Sequence, residues 1–378
     1  MSEVAKLLEQ LVQIDSVNPD LVPGGAGETQ IANFIQIWLE VRGFETHWLE
    51  NTPGRPSVVG IARGTGGGKT LMLNGHIDTV TTAGMDIPAL EPRIEAGRMY
   101  GRGSYDMKCG VAAMLIAAVQ AKTLELRGDV IVACVADEEN ASIGTSEVAA
   151  RFKANAAIVC EPTNLEMTVA HKGFVWASIS THGRAAHGSR PDLGIDAIAK
   201  MGAVLIELEK LAARLAQNPQ HALLGTGSIH ASLISGGEER SSYPASCTLE
   251  IERRTVPGET PEMVRAELQA IIDTCAAADP NFRASLEIGL TRQPHECAEN
   301  EPILQSLRRH ARDVTSLEPQ IAGAPYWTDC AILADAGIPS LLYGPSGDGA
   351  HAAIEWVDLE TVETCVRVYL ETVRDFCG

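Results

Sequence analysis

The first half of the chain alternates short apolar runs with stretches in which apolar residues recur every three or four positions. The apolar runs predict strands at 57–62, 70–74, 130–136 and 156–159. The periodic stretches predict helices at 28–41, 110–121 and 145–151, after a first helix near the N-terminus. Such alternation is typical of an α/β layer fold.

The pattern changes between about residues 172 and 290. Alternating segments such as "FVWASISTHG" and "ASCTLEIERR" predict strands, and "IDAIAKMGAVLIELEKLAARLA" predicts a long amphipathic helix. The last part returns to the first pattern, with "AGIPSLLYGP" as a core strand. We therefore predict an α/β domain, 1–172 and 291–378, with a mixed sheet between helices. A smaller α+β domain, 173–290, is inserted in it.

Composition narrows the class of protein. Among 378 residues, 45% are hydrophobic and 21% are charged, which is typical of a soluble globular protein. No run is long enough to span a membrane, and the N-terminus lacks the features of a signal peptide, so we expect a cytoplasmic protein without a membrane partner. Nine cysteines without a CxxC motif indicate reduced thiols.

The net charge limits the classes of partner that the protein can bind. A formal charge of −19 argues against a nucleic-acid partner, because phosphate binding needs a basic surface. The same charge is compatible with bound cations. An anionic substrate would have to be met by specific cationic groups.

Titratable residues follow the predicted strands and glycine-rich loops. Taken singly, each has an ordinary structural explanation, as a helix cap, a solvated carboxylate or a structural histidine. Several carboxylates that converge at one edge of a sheet repel each other unless a cation neutralises them. Histidine with aspartate and glutamate is a ligand mixture that suits zinc, and also cobalt or manganese. The residues are His76, Asp78, Asp106, Glu138, Glu139, Glu161 and His351.

Six segments carry a resemblance to a known family. The segments "GHIDTV", "GRGSYDMKCG", "ADEE…GT", "CEPT", "THGRAAHGSRPDLGIDAI" and "GAHA…E" resemble the M20 family of metallopeptidases and deacylases, in family order across nearly the whole chain. The resemblance implies a hydrolase of linear amides or peptide bonds that holds two divalent ions, zinc above all. It also implies a homodimer formed through the inserted domain, which serves as a lid.

The resemblance further implies a set of metal ligands. Asp106 would bridge the two ions. His76 and Glu161 would complete the site of one ion, and Glu139 and His351 that of the other.

Three more residues take catalytic roles by the same resemblance. Asp78 would accept a hydrogen bond from His76 and fix its orientation. Glu138 would be the general base that takes a proton from water and delivers it to the leaving amine. His187 would bind the oxyanion of the tetrahedral intermediate, from its own subunit or across a dimer.

The inserted domain departs from the family pattern. The segment "EIERRTVPGE" resembles "DxRxxPG", which places Arg254 at a substrate-binding arginine, with Glu252 in place of aspartate. Ser241 and Tyr243 replace the usual asparagine and valine. These departures concern the substrate rather than the chemistry.

The expected function is removal of the acyl group from an N-acyl amino acid or a close analogue. A carboxypeptidase or dipeptidase that cleaves short peptides with the same site is the nearest alternative, since a peptide bond is also an N-acyl amide. A non-catalytic binding relative of the fold is the third hypothesis. The presence of all five expected ligands and the base counts against it.

Overall fold

The computed structural model describes residues 1–378, which divide into two compact units. Unit 1 comprises Met1–Val169, Cys297–Ala322 and Thr328–Gly378. Unit 2 comprises Ala170–Glu296 and Gly323–Trp327. The domain boundaries at 172/173 and 290/291 stay a prediction.

Helices and strands alternate along the chain. The elements up to the end of unit 1's first segment are α1 (Glu3–Gln13), α2 (Thr29–Glu40), β1 (Glu45–Leu49), β2 (Ser57–Ala62), β3 (Leu71–His76), β4 (Arg93–Glu95), β5 (Arg98–Tyr100), α3 (Lys108–Ala121), β6 (Val130–Val135), α4 (Ile143–Arg151), β7 (Ala156–Val159) and β8 (Met167–His171). Those that follow are β9 (Gly173–His182), α5 (Ala197–Ala216), β10 (Ser228–Gly236), β11 (Ser246–Thr255), α6 (Pro261–Ala278), β12 (Ala284–Arg292) and β13 (His295–Glu296). The chain ends with α7 (Pro302–Thr315), β14 (Ile321–Ala324), α8 (Cys330–Asp335), β15 (Ser340–Leu342), β16 (Gly347–Asp348), β17 (Trp356–Asp358) and α9 (Leu359–Cys377).

A mixed sheet forms the centre of unit 1. Its strands follow the order β1, β2, β6, β3, β7, β15, β8. Strand β3 pairs in parallel with both β6 and β7, whereas β2 pairs antiparallel to β1 and β6. This arrangement confirms the predicted α/β class with a mixed sheet between helices.

Helices cover the central sheet on both faces. Every residue of β2, β3, β6 and β7 is buried, which explains why these strands are mostly apolar. One buried cluster joins the sheet to α1, α2, α3, α7 and α9, and a second joins it to α4 and α8. Helix α3 is apolar on almost all sides and is correspondingly the most deeply buried of these.

A close backbone contact joins the first turn of α3 to the end of β7. A Cβ atom at Gly110 would lie 1.9 Å from the carbonyl oxygen of Cys160. Only glycine therefore lets the first turn of α3 approach the end of β7 this closely. Asp106 lies just before α3 and Glu161 just after Cys160, so the contact keeps their two segments together.

A small second sheet in unit 1 has the order β16, β17, β5, β4. Trp356 pairs with Tyr100 and Val357 with Met99. The hairpin loop between β16 and β17 carries His351, and the pairing places this loop beside the segment that leads to Asp106.

Unit 2 contains an antiparallel sheet of order β10, β11, β9, β12. Helices α5 and α6 pack on one face of this sheet through a buried aliphatic cluster. Strands β9 and β11 alternate between buried and more exposed residues, as expected for a sheet covered on one face. None of the helices in the chain combines the length and apolar composition that a bilayer-spanning segment needs.

Candidate metal centre

The predicted ligands gather at the carboxyl ends of three neighbouring parallel strands. His76 is the last residue of β3. Glu138 and Glu139 lie in the turn after β6, and Glu161 lies just after β7. Since parallel strands end at the same edge of a sheet, the topology itself brings these side chains together.

Asp106 lies between the two histidines. Its Oδ1 is 3.2 Å from His76 Nε2, and its Oδ2 is 3.3 Å from His351 Nε2. Burial opposes ionisation of Asp106, yet the hydrogen bonds from His351 and His76 hold its pKa below the usual range. Each carboxylate oxygen thus faces a different histidine, which is the arrangement expected of a bridging ligand.

His351 and Glu139 form the more exposed side of the cluster. His351 Nε2 lies 3.0 Å from Glu139 Oε2, and the His351 side chain is 54% exposed. The other oxygen of Glu139, Oε1, is buried without a hydrogen-bond partner. Asp106 and Glu139 raise the pKa of His351 to about 10, so a cation bound there would have to displace a proton.

The donor atoms fit divalent metal ions. Two atoms bound at about 2.0–2.1 Å to a tetrahedral zinc ion lie about 3.3–3.4 Å apart. His76 and His351 lie 3.0 to 3.5 Å from their carboxylate partners Asp106, Glu139 and Glu161. Burial and repulsion from Asp106 and Glu139 raise the pKa of Glu161 well above its usual range. The carboxylates therefore repel one another in a way that a bound cation would relieve.

Glu138 differs from its neighbour Glu139 in its contacts. Its carboxylate makes no hydrogen bond to another side chain, whereas Glu139 contacts His351. Removal of the Glu138 carboxyl from water, together with the nearby Glu161, raises its pKa well above the usual range. The two adjacent glutamates therefore have different surroundings: Glu139 contacts His351, and Glu138 lies close to His76 and Glu161.

Asp78 contacts both His76 and the glutamate turn. His76 Nδ1 is 3.0 Å from the backbone oxygen of Asp78 and 3.6 Å from its Oδ1. The Asp78 carboxylate accepts the backbone N–H groups of Glu138, at 3.2 Å, and Glu139, at 3.3 Å. Asp78 thus holds the backbone of the turn as well as lying beside the histidine.

A buried network that sequence reasoning missed supports this turn. Asn18 Nδ2 donates to Asp78 Oδ2 at 2.8 Å and to Asp137 Oδ1 at 2.9 Å. Arg55 Nη2 donates to Asp137 Oδ1 at 2.8 Å and to Glu28 Oε1 at 2.7 Å. Asp137 adopts a left-handed backbone with φ of 68°, which a non-glycine residue keeps only when its surroundings impose it.

Asp329 is another buried carboxyl group that the sequence did not reveal. Thr145 donates to its Oδ2 at 2.6 Å, while its Oδ1 is buried without a partner. Burial raises the pKa of Asp329 to about 6. It adds to the repulsion that Glu138 and Glu161 experience.

The two remaining predicted residues belong to unit 2. His187 is exposed, and its Nδ1 accepts the backbone N–H of Ser189 at 3.2 Å. Arg254 donates from Nε to Glu252 at 2.7 Å and lies 5.3 Å from the ring centre of Phe174. The structure therefore brings together the seven predicted residues of unit 1. The roles given to all nine stay predictions.

Two of the motifs quoted in the sequence analysis contain further residues that could have been singled out. Arg102 of "GRG" and Glu355 of "GAHAAIE" are buried and pair with each other at 2.6 Å. No local pattern marks Asn18 or Arg55, whose partners are distant in sequence.

The chain is similar in sequence to known proteins. Residues 72–375 match the model of peptidase family M20/M25/M40. The acetylornithine deacetylase of Myxococcus xanthus is 29% identical over 364 residues, 92% of each chain. The N-formyl-4-amino-5-aminomethyl-2-methylpyrimidine deformylase of Bacillus subtilis is 28% identical over 384 residues, 92% of this chain and 89% of that protein.

Solved structures share the fold. A tripeptidase from Staphylococcus aureus has a TM-score of 0.81 at 20% identity, covering 99% of this chain and 98% of its own. A dinuclear metal binding peptidase of the M20 family from Bacillus subtilis has a TM-score of 0.74 at 15% identity, covering 99% and 97%. With the family match over most of the chain, these findings confirm the predicted enzyme class, a metal-dependent amidohydrolase. The chain belongs to peptidase family M20/M25/M40.

Proposed function

We propose that the protein removes the acyl group from an N-acyl amino acid or a close analogue. The observation that carries this proposal is the arrangement around Asp106, whose two oxygens face two histidines, with the carboxylate of Glu138 close to His76 and Glu161. The similar deacetylase and deformylase, by their names, act on N-acyl compounds. Cleavage of dipeptides or peptide C-termini is the second candidate, since the structural relatives include a dipeptidase and a metallo-carboxypeptidase.

Two divalent ions, zinc above all, are the proposed cofactors, with cobalt or manganese as alternatives. His76, Asp106 and Glu161 would hold one ion, and Asp106, Glu139 and His351 the other. Bound there, the ions supply Lewis acidity and lower the pKa of water. The dinuclear structural relative supports two ions rather than one.

Glu138 is the proposed general base. Its raised pKa makes the carboxylate a stronger base than a solvated glutamate, and Asp78 holds its backbone. It would take the proton from the attacking water and carry it to the amine as the C–N bond breaks. A turn held by hydrogen bonds keeps the carboxylate in place during both transfers.

His187 is the proposed donor to the oxyanion. The backbone N–H of Ser189 points at Nδ1, so Nδ1 is the acceptor and the neutral ring carries its proton on Nε2. That tautomer can donate a hydrogen bond to developing negative charge. The donor would act within its own subunit or across a dimer.

Arg254 is the proposed contact for a substrate carboxylate. Glu252 accepts a hydrogen bond from Arg254 Nε and a second one, at 2.9 Å, from Trp176 Nε1. These two contacts orient the guanidinium. The Nη1 atom of Arg254 makes no hydrogen bond and remains available. A local cation is needed because the chain carries a charge of −19.

We also propose a cytoplasmic homodimer formed through unit 2. Strand β10 lies at the edge of its sheet, and Leu233 and Ile234 on it are 71% and 55% exposed. Ile206 on the adjacent helix α5 is 60% exposed. An unpaired edge flanked by exposed aliphatic side chains is a surface that a second copy would cover.

The first prediction tests the reaction. The zinc- or cobalt-loaded protein should hydrolyse a panel of N-acyl amino acids faster than matched dipeptides, and a chelator should abolish the activity. Restoring the metal should restore the rate. Faster turnover of dipeptides would favour the peptidase alternative, and no turnover of either class by fully loaded protein would favour a binding relative.

The second prediction separates the adjacent glutamates. Glu138→Ala should keep both ions and lower kcat by about 10²–10⁴-fold, because a positioned general base contributes that much. Glu139→Ala should lose an ion as well, since its carboxylate contacts His351. Elemental analysis and steady-state kinetics on both variants provide the measurement. Loss of metal in Glu138→Ala alone would reverse the two assignments.

The third prediction concerns substrate binding. Arg254→Ala should raise KM for N-acyl amino acids by about 10–100-fold, because a hydrogen bond to a charged group contributes about 1.5–3 kcal/mol. Arg253→Met is the control, because Arg253 is buried on the other face of β11 with Glu259 and Glu267. The effect of Arg254→Ala should largely disappear for substrates with an amidated carboxylate. Equal effects of the two substitutions would show that the carboxylate is held elsewhere.

The fourth prediction concerns assembly. Leu233→Lys should shift the mass in solution, measured by light scattering, from dimer to monomer, because a charged side chain disfavours burial of the strand edge. Leu317→Lys is the matched control, because Leu317 is also 71% exposed but lies in unit 1. A dimer in the wild type that persists in Leu233→Lys would place the interface elsewhere.

A further inference from the structure

A buried ion pair lies behind the candidate metal centre. Arg102 is 2% exposed and Glu355 is fully buried, and Arg102 Nη1 donates to Glu355 Oε2 at 2.6 Å. Removing two charges from water is costly, so a buried pair is weak evidence for stability by itself. The other contacts of the two side chains show what the pair holds in place.

Glu355 accepts hydrogen bonds from the loop that carries Asp106. Its Oε2 accepts the backbone N–H of Gly103 at 3.1 Å. Its Oε1 accepts the N–H groups of Tyr105 at 2.9 Å and of Asp106 at 3.0 Å. One carboxylate therefore fixes three peptide groups at and just before the proposed bridging ligand.

Arg102 reaches the segments of two other ligands. Its Nε donates to the backbone oxygen of Thr81 at 3.0 Å, in the loop that follows His76 and Asp78. Its Nη2 donates to the backbone oxygen of Ala352 at 3.1 Å, the residue after His351. The guanidinium joins three ligand-bearing segments that are far apart in sequence.

His351 depends on such support more than the other ligands do. It lies in the loop between β16 and β17, its side chain is 54% exposed, and its backbone is left-handed with φ of 59°. His76 and Glu161, in contrast, extend directly from buried strands of the central sheet. On its C-terminal side the His351 loop is held by the contacts of Ala352 and Glu355 with Arg102.

We propose that Arg102 and Glu355 are positioning residues that hold Asp106 and His351 together and so determine binding of the second divalent ion. The inference rests on the proposed function, because it assumes a two-ion centre. The pair acts through its contacts with backbone groups, and neither residue is a ligand. Loss of this ion pair should weaken metal binding at the His351 site more than at the site of His76 and Glu161.

The test measures zinc binding by elemental analysis after equilibration with buffered Zn²⁺, and by calorimetric titration. The wild type should bind two ions per chain. Arg102→Met and Glu355→Gln should retain the tighter ion and bind the weaker one about 10–100-fold less well, the usual effect of losing a residue that supports a metal ligand. Glu355→Gln keeps the side-chain size, but its NH₂ group would face N–H donors.

A buried ion pair elsewhere provides the matched control. Arg253 is 1% exposed and pairs with Glu259 and Glu267 inside unit 2. Arg253→Met should lower the melting temperature yet bind two zinc ions with unchanged affinities. This comparison separates loss of a buried charge pair in general from loss of the pair that holds the ligand loops.

The outcomes are distinguishable. Two ions bound with wild-type affinities by both folded variants would overturn this inference and leave the proposed function intact. A wild type that binds no ion would overturn the proposed function itself. Where Arg102→Met does not fold, Arg102→Lys and Glu355→Gln decide the question by the same titration.

Discussion

Repulsion between carboxylates at one edge of the central sheet is the constraint on which the rest of unit 1 depends. Parallel pairing of β3, β6 and β7 brings their carboxyl ends together, and the turns there carry acidic residues. Two like charges 4 Å apart repel by about 4 kcal/mol at an effective dielectric constant of 20. Such a cluster is tolerable only where protons, buried cations or metal ions balance it.

Two buried arginines, in addition to the proposed metal ions, balance part of this negative charge. Arg55 pairs with the carboxylates of Glu28 and Asp137 beneath the glutamate turn. Arg102 neutralises Glu355 beneath the loop of Asp106. Each arginine also restricts the movement of a ligand-bearing segment, so charge balance and positioning come from the same side chains.

Much of this architecture could be predicted because its causes are local. Strands β2 and β7 coincide with the predicted ranges 57–62 and 156–159, since burial on both faces leaves uninterrupted apolar runs. Arg253 and Arg254 lie on opposite faces because strand residues alternate. Helix α3 begins at Lys108, two residues before the predicted residue 110; this lysine is buried and donates to the backbone oxygen of Ile14 at 2.9 Å.

The supporting networks could not be predicted because their causes are distant. Asn18 contacts Asp137 across 119 positions of sequence, and Arg55 reaches it across 82. No periodicity or spacing relates such residues, and each looks like an ordinary polar residue of a loop. Only the folded backbone shows that they converge on one turn.

The position of β15 in the central sheet has a consequence for how the protein is made. This strand begins at Ser340, yet it lies between β7 and β8, which end at Val159 and begin at Met167. At about 5–20 residues per second, a ribosome needs roughly 9 to 35 s to extend the chain from residue 167 to residue 340. During that time the sheet lacks an internal strand, and the edge of β7 is unpaired where β15 will bind. The last internal strand of the sheet is therefore added late in synthesis, and until then the open edge of β7 can pair with another chain.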